Sequence, residues 1–167
     1  AGAQRRMFEI RLTNLVYGGE CIGRLADGRA VFVPYGLPGE LVAIELVEEK
    51  KRFARGRIVE IIQPSPERIG PRCAHFGECG GCHYQHMPYE RQLAAKQEIL
   101  NDQLHRIAGV EHPPVEEMLP SPLAWKYRNT VQFHLNVDGR LGYQRWGGRD
   151  VGAIDECHLP EEPLNGL

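Results

Sequence analysis

ECIGRLADGRAVFVPY, residues 20–35, sets two short apolar runs on either side of Asp27-Gly28. Aspartate-glycine between alternating apolar residues is a strong hairpin signal, because glycine takes the left-handed backbone that a tight turn needs. The stretch therefore predicts two antiparallel strands joined by a two-residue turn. The neighbouring segments extend the pattern. MFEIRLTNL (7–15) reads as a strand before it, LPGE (37–40) as a turn, and LVAIELVEE (41–49) as a strand after it. RFARGRIVEII (52–62) is the last strand, closed by Gln63-Pro64-Ser65-Pro66. Short strands with turn signals this dense predict a small closed barrel of the OB type over residues 1–63.

The totals bound what such a barrel belongs to. The 167 residues suffice for one domain or two small ones. An apolar fraction of 42% and a charged fraction of 25% fit packed cores rather than disorder. The net charge is −2, so any case for nucleic acid must be local. No apolar run reaches the length of a membrane span, and AGAQRRMFEI is no export signal. The expectation is a cytoplasmic monomer without membrane contact. The chain begins without Met and ends in PEEPLNGL, which closes no element; it reads as a piece of something longer.

Residues 64–88 are rich in Pro and Gly and hold RCAHFGECGGCHYQHM (72–87). This segment should be irregular, pinned by something other than a core. A helix follows Pro88, with Leu93, Leu100, Leu104 and Ile107 as its core-facing stripe and Gly109 as its stop. Beyond Pro113-Pro114 the pattern returns to strands. TVQFHLNV meets a second hairpin signal at Asp138-Gly139, then RLGYQR and RDVGAI follow, then Cys157. The fold class is mainly β with one long helix: barrel over 1–63, then cysteine loop, helix and small antiparallel sheet over 64–167.

Five cysteines without an export signal argue against a disulfide scaffold. Cys21 sits in a strand and reads as a small buried hydrophobe. Cys73, Cys79 and Cys82 have C-x5-C-x2-C spacing, and Cys157 follows far downstream. Gly80 and Gly81 let the chain turn so that Cys79 and Cys82 face one centre. Structural zinc usually takes two close ligand pairs. Three close cysteines and a remote fourth favour iron–sulfur ligation; zinc and a thiol redox pair remain open on spacing alone. The histidines at 75, 83 and 86 read as hydrogen-bonding neighbours or as facing solvent.

Two local patches could meet RNA. KKRFARGR (50–57) would set Lys51, Phe53, Arg55 and Arg57 on one strand face, suited to phosphate contact and base stacking, although a solvated barrel strand explains it equally. WKYRN (125–129) alternates Trp125 and Tyr127 with Lys126 and Arg128 on an expected hairpin strand, with Arg145, Trp146 and Arg149 beside it.

The motifs together resemble a known family. GECIGRLADGRAVFVPYGLPGE looks like the TRAM domain, an OB-like RNA-binding barrel. CAHFGECGGCHYQHMPYERQLAAKQEIL is similar to the iron–sulfur segment of RNA (uracil-5-)-methyltransferases, through Cys73, Cys79, Gly80, Gly81, Cys82, Gln85, His86, Tyr89, Gln92, Leu93 and Lys96. SPLAWKYRNTVQF and LGYQRWGGRDVGAIDEC match in the same order, although Thr130 and His158 depart from the usual residues. The resemblance implies a [4Fe-4S] cluster on Cys73, Cys79, Cys82 and Cys157. It implies RNA as partner, with a ribosomal uridine favoured over tRNA. In the family a further domain carries the S-adenosylmethionine site and the catalytic residues, so no catalytic residue is expected in this chain.

Overall fold

The structure, a computed structural model, describes residues 6–165. Five strands form a closed barrel: β1 (Met7–Leu15), β2 (Glu20–Arg24), β3 (Ala30–Pro34), β4 (Leu41–Glu49) and β5 (Phe53–Gln63). Their order around the barrel is β1-β2-β3-β5-β4. All pairs are antiparallel except β3 with β5, where Val31 faces Ala54. This is the OB arrangement expected from the strand pattern. Period-two alternation drives it: Ile10, Leu12, Val31, Val33, Val42, Ile44 and Ala54 point inward and are buried. Cys21 is fully buried among them, and burial pushes its thiol up to about 12.

The hairpin turns are one residue longer than expected. Leu25 N–H donates to the Arg29 carbonyl, so Ala26, Asp27 and Gly28 form a three-residue loop with Gly28 at φ +86°. Asn136 and Arg140 close the same kind of loop over Val137, Asp138 and Gly139. The glycine supplies the left-handed residue in either case, so its position alone does not separate two-residue from three-residue loops.

A buried ion pair fastens the chain as it leaves the barrel. The Glu40 side chain is fully buried; it accepts from the backbone N–H of Leu37 and Ser65 and from the Arg68 guanidinium at 2.6 and 2.8 Å. Arg68 also donates to the Tyr35 carbonyl. Burial alone would raise the Glu40 carboxyl, but these donors outweigh it and hold the pKa below the ordinary value.

The helix α1 (Tyr89–Arg106) begins directly after Pro88. Its buried residues are Ala95 and Ile99, which join the barrel core with Met87. The leucine stripe is not the core face: Leu100 is 43% and Ile107 78% exposed. The helix rests on the barrel through a narrow contact, and a small Ala at 95 lets it come close. The remaining sheet is small, with order β6 (His134–Leu135), β7 (Leu141–Gln144) and β8 (Val151–Ala153). Residues 125–129 form no strand; Arg128 makes only an isolated bridge to Pro160. Lys126 takes φ +57°, which breaks the extended run that alternation suggests.

Candidate metal centre and nucleic-acid interface

The cysteine loop lies along the end of β7. Gly80 N–H donates to the Gln144 carbonyl at 2.9 Å, and Trp146 N–H to the Glu78 carbonyl at 3.0 Å. A Cβ on Gly80 would sit 2.8 Å from that Gln144 oxygen. Gly80 therefore serves close approach to the strand, and neither it nor Gly81 has a positive φ. Gly81 N–H points at the Cys79 sulfur, 3.4 Å away.

Cys73, Cys79, Cys82 and Cys157 all line one small cavity, walled by Phe76, Tyr143, Ile154 and Leu159. Burial, and then charge on Cys157 and Cys73, raise the Cys79 thiol; burial and the other three cysteines raise Cys82. The Tyr143 phenol beside them is pushed up to about 12, first by burial and then by Cys157. All four thiols line the cavity, and among the described residues no group of three or more His, Cys, Asp or Glu side chains is placed to hold a metal ion.

The other motif residues fasten backbone around this cavity. Buried Gln85 accepts from Cys73 N–H at 3.0 Å. His86, fully enclosed, donates through Nε2 to the Gly36 carbonyl and so docks the loop on the barrel. Burial, then Arg68, lower its pKa to about 4, so it is neutral. Tyr89 Oη accepts from Ser121 N–H at 2.8 Å, and Gln92 donates to the Met87 carbonyl. His75 Nε2 accepts from Asp155 N–H near the downstream cysteine.

The expected RNA-contact residues fall in two places. Phe53, Arg55 and Arg57 share the outer face of β5, while Lys51 sits in the bend before it, outside the strand. The two arginines are already paired: Arg55 with Glu20 and Glu48, Arg57 with Glu45. Trp125, Tyr127 and Arg128 instead line a separate pocket of about 600 Å³ between the cysteine loop and α1. Residues 72, 84 and 96 also line it, and Gly81, Cys82, Gln85 and Leu159 are common to this pocket and the thiol cavity. The contribution of Arg72 is not legible in sequence, since it belongs to no patch there.

Comparison with known proteins places the barrel and the whole chain among familiar relatives. Residues 4–59 match the TRAM domain. The barrel of this chain is therefore similar to the TRAM domain. The chain is 39% identical over 159 residues to an uncharacterized RNA methyltransferase of Aquifex aeolicus, covering 95% of this chain and 37% of that one. A similarly named protein of Nitratidesulfovibrio vulgaris is 37% identical, covering 90% of this chain and 33% of its own length. The chain thus spans about a third of the curated relatives it matches. Among solved structures it is similar to the tRNA (uracil-54, C5)-methyltransferase of Pyrococcus abyssi in complex with S-adenosyl-L-homocysteine. That likeness has TM-score 0.58 and 26% identity over 93% of this chain and 34% of the other. The barrel and the cysteine region are thus similar to proteins named RNA methyltransferases over nearly all of this chain.

Proposed function

We propose that this chain is the RNA-recognition and iron–sulfur portion of an S-adenosylmethionine-dependent enzyme that makes 5-methyluridine in ribosomal RNA. The observation that carries the reading is the convergence of Cys73, Cys79, Cys82 and Cys157 on one cavity. Three close cysteines and a remote fourth on one cavity are the kind of donor set that iron–sulfur ligation uses. The donor set fits that group, and Gly81 N–H offers a hydrogen bond to one of its sulfurs.

The chain's own part is to bind and position. A uridine must leave its stack before a catalytic domain can reach it. The TRAM barrel offers Lys51, Phe53, Arg55 and Arg57, and the pocket segment offers Trp125, Tyr127 and Arg128. When bound, the cluster would cross-link the cysteine loop to the end of the small sheet; methyl transfer itself needs no net electron transfer. The methyl donor would bind in the remainder of the longer protein, and this chain alone should be inactive.

Anaerobic purification with iron and sulfide analysis tests the centre. Iron and inorganic sulfide in equal amounts are expected; zinc without iron would sink the assignment. For the substrate, the longer protein is incubated with ribosomal RNA and with tRNA, and 5-methyluridine is measured. Product in ribosomal RNA is expected. Product in tRNA alone would transfer the reading to the substrate of the Pyrococcus enzyme.

A further inference from the structure

We propose that the pocket between the cysteine loop and α1 receives a single unstacked nucleotide, its base against aromatic rings and its phosphates on Arg72, Lys96 and Arg128; this rests on the RNA-binding reading above. Charge pairing decides for this pocket over the barrel face. Arg55 and Arg57 spend their charge on Glu20, Glu48 and Glu45. Arg72, Lys96 and Arg128 have no carboxylate partner among the described residues. Each lies over a ring instead: Arg72 5.3 Å from the Trp125 centroid, Lys96 5.9 Å from Tyr84, Arg128 5.9 Å from Tyr127. Tyr127 is exposed and Trp125 and Tyr84 are half-buried, and a cation held by a ring alone can turn to a phosphate readily.

The pocket's lining contains no Asp or Glu. In a chain of net charge −2 that is a marked local imbalance. Its volume of about 600 Å³ lies within the ~300–1,000 Å³ of small-ligand sites. Tyr127 is 48% exposed, so a ring face is available to a base at the mouth. Cations alone would suit any polyanion. Cations interleaved with three rings suit a nucleotide, whose base stacks while its phosphate pairs.

The test uses the chain purified anaerobically and a single-stranded oligoribonucleotide carrying 4-thiouridine. Photocrosslinks to the wild-type chain should map to Tyr84 or to residues 121–128, a readout that needs no variant. Arg72→Gln, Lys96→Gln and Arg128→Gln should each weaken binding, and each should flatten its salt slope by about 0.7 for the one phosphate left unpaired. Trp125→Ala should weaken binding about tenfold with the slope unchanged. Arg106→Gln, on a paired surface arginine, is the control and should bind as wild type. Normal RNA binding with unchanged slopes in all pocket variants, or crosslinks confined to the barrel, would overturn the site and leave RNA recognition standing. Failure of the wild type to bind RNA removes both. Competition by polyglutamate as strong as by RNA would overturn the nucleotide assignment in favour of an acidic peptide.

Discussion

At the scale of single residues, Glu40 and Gly80 explain most about how the cysteine loop is held. Glu40 is a buried carboxylate with four donors around it. Glu40→Ala leaves Arg68 and two backbone N–H groups without their acceptor, and should cost about 3 kcal/mol in urea unfolding. The pH dependence follows from its lowered pKa. A carboxyl held below its unfolded value contributes stability above about pH 4, and loses it as pH falls through the folded value. Glu40→Ala should therefore flatten the acid side of the stability profile, leaving neutral-pH stability lower throughout. Gly80→Ala places a methyl group 2.8 Å from a strand carbonyl. The loop must shift off β7, and the iron content of the purified chain should fall well below wild type. Neither role is visible in sequence. Glu40 reads as a turn residue in LPGE, and the glycine pair suggests a sharp turn where the structure uses close approach.

Elements divide by how strongly their pattern constrains them. The five barrel strands are legible because alternation and closely spaced turns leave few other packings for them. The helix is legible as a helix, but its buried side is not. A leucine stripe outranks Ala95 and Ile99 on hydrophobicity, and only the position of the barrel decides between the faces. Ile99→Ala should cost about 2–4 kcal/mol by urea unfolding, while Leu100→Ala should cost under ~1 kcal/mol. Equal costs would mean that both faces are packed. The segment 125–129 shows the converse failure: its alternation of ring and cation suggests a strand, yet Lys126 sits at φ +57°. The alternation there serves a pocket wall, which has no need of a ladder.

At the scale of the whole molecule, the barrel and the small sheet meet through the cysteine loop. Tyr35, at φ +64°, packs edge-on against Phe76 and Trp146, so barrel, loop and sheet share one aromatic contact. A group bound to all four thiols would join segments about 75 residues apart in the chain. On the entropy of closing a loop that long, such a link is worth roughly 4 kcal/mol. Cys157→Ser should thus leave the barrel's unfolding unchanged while residues 64–88 and 108–133 become open to limited proteolysis. Cys73, Cys79 and Cys82 stand together in sequence, whereas Cys157 reaches their cavity only through the fold. The pocket is half legible: Trp125, Tyr127 and Arg128 stand together in sequence, whereas Arg72 and Lys96 reach it only through the fold.

Gly81, Cys82, Gln85 and Leu159 form a party wall between thiol cavity and pocket. If one ligand changes the affinity of the other across that wall, the effect runs equally in both directions. If a bound cluster stiffens that wall for RNA, bound RNA must retain the cluster by the same factor. The chain should then hold iron against a higher chelator concentration when the oligoribonucleotide is present, and Lys96→Gln should reduce the difference.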